Sequence, residues 1–250
     1  YFYPGVTTAP LLAARQRAEQ IDLTRSLALR VGGELAGQAT LALRGDRAWC
    51  GGFGVTAPFR GRGLARPLIA ALIDQAREAG ARRFGLEVLT RNEKAIKAYR
   101  GAGLSISRDL LIFQWAAEGS APVDAADAPG IADAAPRELL RQFDALHPAP
   151  AAWQRDLPAL LVKQGLQGLA LTRGGELAGY ALYSLRESAL RIEDLAARDA
   201  GRAAELLRAL QRRAATISSV NEPDDSPLTA AFAACGFRES DRQHEMALDL

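Results

Sequence analysis

The segment FRGRGLARPLIAAL, from Phe59 to Leu72, places an arginine- and glycine-rich turn directly before an apolar helix. Leu64, Leu68 and Leu72 recur every four residues, which predicts a helix with one buried face. The N-terminus of a helix offers unpaired N–H groups and a partial positive charge. Glycines allow the backbone to approach a ligand closely, and arginines add charge. The segment therefore predicts a phosphate-binding turn, with a solvated basic turn that only caps the helix as the alternative.

The class of phosphate ligand depends on the detailed pattern of the turn. A Walker loop requires Gly-Lys-Ser/Thr, which is absent, and the dinucleotide-binding GxGxxG requires a glycine where Arg66 stands. Both absences disfavour a nucleotide-binding protein, which is kept as a third hypothesis. The turn does fit R-x-x-G-x-A, with Arg60, Gly63 and Ala65 at the defined positions.

This hexapeptide resembles the acyl-CoA pyrophosphate motif of the GCN5-related N-acetyltransferase family. The stretch LEVLTRNEKAIKAYRGAGL resembles the family's next strand and helix, so that the likeness covers residues 27–115. One departure is Leu104, where the family usually has an aromatic residue. The resemblance implies an acyl-CoA-dependent N-acyltransferase of class EC 2.3.1, with acetyl-CoA as cosubstrate. It also implies direct attack by an amine, on a small molecule or a protein N-terminus, in a ternary complex. A non-catalytic acyl-CoA-binding or scaffold protein is the alternative.

The resemblance also assigns a set of cofactor-binding positions. Backbone N–H groups of the turn would hold the pyrophosphate, and the backbone of the preceding strand would pair with the pantetheine arm. A helix-capping asparagine would touch the cofactor as well, although capping alone also explains that residue. The residues are Gly54, Val55, Arg60, Gly61, Arg62, Gly63, Leu64, Ala65 and Asn92.

Two further residues are candidates for proton transfer. Tyr99 matches the family's usual general acid, and lies seven residues after Asn92, on the same face of a predicted helix. A phenol there can protonate the departing CoA thiolate. Glu87, on the preceding strand, occupies the position of a glutamate in the branch of the family that acetylates protein N-terminal amines. The alternatives are a core tyrosine for Tyr99, and an exposed or Arg82/Arg83-paired carboxylate for Glu87.

The chain contains an internal repeat. Residues 27–43 (LALRVGGELAGQATLAL) and 169–185 (LALTRGGELAGYALYSL) are identical at eleven of seventeen positions, and each reads as a hairpin. We therefore predict an α+β fold with two tandem GNAT-like domains, residues 1–118 and 119–250, each with a mostly antiparallel sheet flanked by helices. The first domain has fewer residues before its hairpin, so it is expected to lack its first strand and helix. The two domains are expected to form an internal pseudo-dimer, in a monomer or a homodimer.

The second repeat retains the sequence patterns that predict the fold but lacks the residues proposed for phosphate binding and proton transfer. Its turn keeps Arg198, Gly201 and Ala203, whereas Asp199 replaces Gly61 and opposes an anion. Phe232 stands where Tyr99 would be. Glu87 corresponds to Val220, or to Ser219 if the alignment slips by one residue. The second domain is therefore predicted to be degenerate.

Composition excludes several other classes. A net charge of +2 does not favour a nucleic-acid partner, and no apolar run has the length of a membrane span. The two cysteines, Cys50 and Cys235, are expected to be buried thiols in a cytoplasmic protein. His147 and His244 are isolated in the sequence, and no metal is expected.

Overall fold

The computed structural model describes residues 8–117, 128–147 and 149–250. It divides into two compact units: unit 1 comprises the residues through Ser107 together with His244–Leu250, and unit 2 comprises Arg108–Gln243. The predicted boundary at 118/119 falls outside the described residues and stays a prediction. The two units depart from that boundary because the last strand of each repeat lies partly in the other unit.

Unit 1 forms a sheet with helices packed on it. Its elements are α1 (Ala9–Glu19), β1 (Ile21–Val31), β2 (Glu34–Arg44), β3 (Arg47–Val55), α2 (Ala65–Glu78), β4 (Arg83–Leu89), α3 (Glu93–Gly101) and the start of β5 (Ser105–Ala116). The strands lie in the order β1-β2-β3-β4, with β3 and β4 parallel and the other pairs antiparallel. The left-handed backbone of Gly32 and Gly33 forms the predicted turn between β1 and β2.

The core of unit 1 lies between the sheet and α2. The predicted leucine stripe is largely buried, because Leu68 and Leu72 are at most 4% exposed. Along β4, Phe84, Leu86 and Val88 are buried on one face, as their alternation predicted. This packing fixes the N-terminus of α2 relative to the ends of β3 and β4.

Unit 2 repeats this plan with additional elements before its hairpin. Its elements are the rest of β5, β6 (Ile131–Asp133), α4 (Pro136–Leu140), α5 (Phe143–Leu146), α6 (Leu157–Val162), β7 (Gln167–Arg173), β8 (Glu176–Arg186), β9 (Ala189–Ala197), α7 (Ala200–Gln211), β10 (Thr216–Pro223), α8 (Thr229–Ala234) and the start of β11 (Arg238–Asp249). Strands lie in the order β5-β10-β9-β8-β7-β6, with β9 and β10 parallel. The layer formed by α4, α5 and α6 packs through Leu139, Phe143 and Leu160 onto Tyr180 and Leu182 of β8.

The two units share a local irregularity that supports the repeat. In unit 1 a β-bulge leaves Gly51 of β3 without an opposite residue in β2, and in unit 2 a bulge does the same to Glu193 of β9. The two residues are 142 positions apart, which is the offset of the hairpin repeat. The predicted α+β class and the tandem arrangement are therefore confirmed.

The last strand of each repeat ends in the other unit. In unit 2, residues Leu110–Ala116 of β5 pair with β10. In unit 1, Met246 of β11 is fully buried in the core, and the N–H of Leu250 donates to Arg82 O at 2.8 Å. Each unit therefore completes its sheet with a strand from the other repeat, which the sequence did not predict.

Candidate functional site

The turn between β3 and α2 has a backbone that requires glycine. Gly61 and Gly63 have φ values of 76° and 77°, in the left-handed region that residues with a Cβ rarely adopt. No heavy atom lies within 4 Å of the position that a Cβ would occupy at either glycine. Glycine is therefore needed for conformation rather than for internal packing, and the surface of the turn is open.

The same turn presents a row of backbone donors. Within the described residues, none of the N–H groups from Gly61 to Arg66 donates to a backbone carbonyl, and the first such bond of α2 joins Leu68 N–H to Leu64 O at 3.3 Å. These donors coincide with the positive end of the helix. The guanidinium of Arg62 lies 5.1 Å from the centroid of the Phe59 ring, which anchors its charge beside the turn. The arrangement suits a phosphate group.

Arg60 differs from the sequence expectation. Its backbone N–H donates to Ala57 O at 3.3 Å, so this group belongs to the preceding 3₁₀ turn. Its side chain instead donates from Nε to Val55 O at 3.0 Å. Arg60 therefore connects the turn to the end of β3, a role that the motif alone did not indicate.

Strands β3 and β4 separate beside this turn. Residues Arg47–Trp49 pair with Arg83–Gly85, and the described pairing ends there although β3 continues to Val55 and β4 to Leu89. The bulge in β3 follows this last pair, and a bulge strengthens the local twist of a strand. The far halves of the two strands consequently leave a gap between them.

The end of β3 directs backbone polar groups toward this gap. The N–H of Thr56 donates to Ala36 O at 2.9 Å, at the end of β2 and β3. Because successive residues of a strand alternate in direction, the backbone groups of Val55 point away from β2. Val55 lies opposite Gly37 and Gly54 opposite Gln38 of β2, and the same alternation turns the backbone groups of Gly54 toward β2. Of the two residues expected to meet a pantetheine arm, Val55 thus has the suitable orientation.

Helix α3 carries Asn92 and Tyr99. Asn92 is its N-cap, with Oδ1 accepting from Ala95 N–H at 3.3 Å, as predicted. Tyr99 is 6% exposed and packs edge-on against Phe53 of β3, with ring centroids 5.6 Å apart. The tyrosine ring thus lies in the core of unit 1 and contacts the strand that borders the gap.

Glu87 lies on the face of β4 opposite Phe84 and Leu86. It is half-buried, and its Oε1 is shielded from solvent. Arg83 lies 3.6 Å from the carboxylate of Asp249. Tyr99 belongs to the buried cluster that includes Phe84 and Leu86, so the two candidate proton-transfer residues approach β4 from opposite faces.

In unit 2 the corresponding turn has become part of a helix. With the turn aligned as Gly61 to Asp199, α7 begins three residues earlier than α2. Oδ1 of Asp199 accepts from Arg202 N–H at 2.9 Å and caps this longer helix. Gly201 lies inside α7 and lacks the left-handed backbone of Gly63. The donors that are open in unit 1 are therefore occupied or built into the helix.

Strand register identifies the counterpart of Glu87. Trp49 pairs with Gly85 in unit 1, and Arg191 pairs with Ser218 in unit 2. Two residues further along β4 and β10, Glu87 therefore corresponds to Val220. Phe232 replaces Tyr99 and stacks on Phe113 with centroids 4.5 Å apart. Neither counterpart has a group that can transfer a proton.

The structure also brings together polar residues of unit 2 that the sequence left apart. His147 was considered isolated, but its Nε2 lies 3.1 Å from Oδ1 of Asp194, 47 residues away. Arg155 reaches both Asp194 and Glu222. A sequence signal did exist, because two adjacent carboxylates, Glu193 and Asp194, interrupt the apolar strand β9.

Other predicted features concern cysteines, metals and membranes. Cys50 and Cys235 are both buried, as predicted, and burial raises the pKa of the Cys50 thiol to about 12. Among the described residues, no group of three or more His, Cys, Asp or Glu side chains is arranged to hold a metal ion. No helix in that same part of the chain combines the length and the apolarity that a membrane crossing requires.

Residues 3–104 match the model of the acetyltransferase (GNAT) family. This matched segment resembles GNAT acetyltransferases. It is 40% identical over 55 residues to the uncharacterized N-acetyltransferase YdgE of Bacillus subtilis, a segment covering 22% of this chain and 35% of that protein. The chain thus spans only about a third of the length of this N-acetyltransferase.

Solved GNAT structures resemble nearly the whole chain. A tandem GNAT protein from the clavulanic acid biosynthesis pathway is 18% identical with a TM-score of 0.65, covering 98% of this chain and 90% of that one. A GCN5-related N-acetyltransferase from Sphaerobacter thermophilus is 15% identical with a TM-score of 0.67, covering 96% and 91%. At these identities the likeness establishes the GNAT fold, in tandem, and nothing about substrates.

Proposed function

We propose that unit 1 transfers an acyl group, acetyl in the simplest case, from acyl-CoA to an amine by direct attack in a ternary complex. The observation that carries this proposal is the left-handed turn at Gly61 and Gly63, whose open N–H groups lie beside the gap between β3 and β4. The match of residues 3–104 to the GNAT family model supports acetyl-CoA as the acyl donor.

The residues present fit this cosubstrate. The donors from Gly61 to Ala65 would hold the pyrophosphate, because glycine permits the left-handed backbone of this turn. Val55 would offer its N–H to the pantetheine arm, while Arg60 holds the strand end against the turn. When bound, acetyl-CoA supplies the reactive thioester. Asn92 would keep the start of α3 in place and touch the cofactor.

Each proton of the reaction can be assigned to a residue. The amine nitrogen forms a bond to the thioester carbonyl carbon, and the carbon–sulfur bond breaks. Tyr99 would donate its hydroxyl proton to the leaving thiolate, and Glu87 would take a proton from the attacking amine, directly or through water. The two residues approach β4, which borders the gap, from opposite faces, and each would serve one of the two proton transfers.

The proposal is tested by thiol release from acetyl-CoA in the presence of a library of amines, with mass spectrometry of the products. We expect thiol and acetylated amine in equal amounts. Binding of acetyl-CoA with no transfer to any amine class would support a non-catalytic acyl-CoA-binding protein instead.

Replacing Glu87 by Gln is expected to reduce kcat/KM by no more than about 100-fold, because water can partly replace a general base. The loss should depend on pH, since the variant lacks the group that accepts the proton. A pH–rate profile of Glu87→Gln compared with wild type measures this. Glu78→Gln, an exposed carboxylate at the other end of α2, is the matched control. A profile unchanged in shape would remove Glu87 from the mechanism.

Titration calorimetry is expected to give one acyl-CoA per chain. Asp199 places a carboxylate at the turn of unit 2, where it caps α7 and repels phosphate. Two sites per chain, with the second surviving Gly63→Val, would contradict the degeneracy of unit 2.

A further inference from the structure

Asp194 is the centre of a buried polar cluster in unit 2. Its side chain is 1% exposed and lies in β9, just after the bulge. The hydroxyl of Tyr180 donates to Oδ2 at 2.9 Å, and His147 Nε2 lies 3.1 Å from Oδ1. A guanidinium nitrogen of Arg155 lies 3.7 Å from the same Oδ1. Three different elements thus converge on one carboxylate.

The contacts of His147 define its protonation state. Nδ1 lies 2.9 Å from Phe143 O, and Nε2 lies 3.1 Å from Asp194 Oδ1. A neutral imidazole has one donor and one acceptor nitrogen, whereas a backbone carbonyl and an ionised carboxylate only accept. Both contacts are hydrogen bonds only when both nitrogens carry a proton. The geometry therefore requires the imidazolium form, which also stacks on the Phe143 ring at 3.9 Å.

The charges of the cluster balance only with that proton. Arg155 joins Asp194 of β9 to Glu222 of β10, with 2.5 Å between Nη1 and Glu222 Oε2. These two carboxylates face one guanidinium, and the imidazolium is the second cation. All three side chains, Arg155, Asp194 and Glu222, are almost fully buried, so an unmatched charge among them would be costly.

The neighbouring charged groups do not substitute for the imidazolium. Glu193, also in β9, is paired with Lys163 at 2.7 Å and lies 3.6 Å from Arg191. Tyr180 of β8 contributes a neutral hydroxyl, and Asp144 of α5 is exposed. Besides His147, the charged group that contacts Asp194 is Arg155, which Glu222 already engages.

We propose that His147 is a proton-dependent latch. In its charged form it holds α5 and the turn Trp153–Arg155 against β9 and β10. When His147 loses its proton, the packing of α5 and this turn on the two strands loosens. The latch belongs to unit 2 alone, because the repeat offsets place Gly52 at the position of Asp194 and Leu89 at that of Glu222. The packing of α5 and the turn Trp153–Arg155 on the sheet of unit 2 therefore depends on pH.

The pKa shifts give the direction of the effect. Burial alone would lower the pKa of His147, but the charge and hydrogen bond of Asp194 outweigh it and raise the pKa above its ordinary value. Burial would raise the pKa of Asp194, but His147 and Arg155 hold it below its ordinary value. A cation whose pKa is raised on folding stabilises fully below its unfolded pKa, about 6.5, and this stabilisation is lost as pH rises through the folded pKa.

The chain has only two histidines, which makes a direct test possible. The C–H proton NMR signals of the full chain are titrated, with His244→Gln to assign them. We expect His147 to titrate above the ordinary value and Asp194→Asn to lower that pKa. If Asp194→Asn does not fold, Tyr180→Phe, which removes only a neutral donor, replaces it and should shift the titration in the opposite direction. A His147 that titrates at or below the ordinary value would overturn the proposal.

Amide hydrogen exchange provides the second measurement. Protection of residues 143–146 and 153–162 is expected to fall by about tenfold per pH unit between the unfolded and folded pKa values, after correction for intrinsic rates. In His147→Gln this dependence should disappear, while α7 keeps its protection in both proteins. Protection independent of pH in wild type, or equally dependent in His147→Gln, would show that His147 is not the latch.

Discussion

Tyr99→Phe is expected to slow acyl transfer by about 100- to 10,000-fold, the usual contribution of a general acid. The substitution removes one oxygen and keeps the ring that packs edge-on against Phe53. The affinity for acetyl-CoA and the free energy of unfolding should therefore change little. Unit 2 supports this expectation, because Phe232 occupies the equivalent position and is fully buried without a hydroxyl.

The measurement is kcat for thiol release, together with calorimetric affinity and thermal unfolding of the same protein. Tyr183→Phe is a matched control, since Tyr183 is also a buried tyrosine, with its hydroxyl 2.8 Å from Arg213 in unit 2. It should retain wild-type kcat. A Tyr99→Phe variant with less than a threefold loss would show that the thiolate leaves without this residue, and the assignment would be withdrawn.

Gly63→Val is expected to weaken acetyl-CoA binding by at least about 100-fold. Valine does not tolerate a φ of 77°, so the turn must change conformation and its N–H groups no longer converge. Hydrogen bonds to a charged group contribute about 1.5–3 kcal/mol each, and the loss of two corresponds to this factor. Calorimetry with acetyl-CoA measures it.

A suitable control lies at the other end of the same helix. Gly80 has a φ of 81° and, like Gly63, has no heavy atom within 4 Å of a Cβ position. Gly80→Val should suffer a similar backbone strain of about 1–2 kcal/mol and keep its affinity for acetyl-CoA. Equal affinities for Gly63→Val and wild type would mean that the phosphate site lies elsewhere.

Features that depend on neighbouring residues were predictable from the sequence. The Gly32-Gly33 hairpin, the Asn92 cap and the alternating burial of Phe84 and Leu86 each follow from spacing over a few positions. The left-handed turn before α2 was predictable for the same reason, because its glycines and the following apolar stripe are contiguous; its role in phosphate binding stays a prediction. Comparison of Asp199 with Gly61 predicted a changed turn in the second repeat, and Asp199 indeed caps α7 there; the degeneracy of that repeat stays a prediction.

Features that depend on distant residues were not predictable. Arg155 meets Glu222 across 67 residues, and nothing in either neighbourhood indicates the other. The contact of Arg60 with Val55 O also escaped, since a side-chain rotamer is decided by the folded surroundings of the turn. The assignment of β5 and β11 to the units depends on strand pairing, which single-sequence patterns do not encode.

The exchange of last strands makes the second repeat structurally necessary to the first. A gene that encoded only the first repeat would omit Met246 and the strand beside β4, leaving an apolar gap and an open sheet edge. Such edges invite pairing with other chains and promote aggregation. Selection can therefore relax on the second repeat's turn, as Asp199 illustrates, while it continues to act on its strands. The second repeat thus contributes a structural strand to unit 1, whatever its own chemistry.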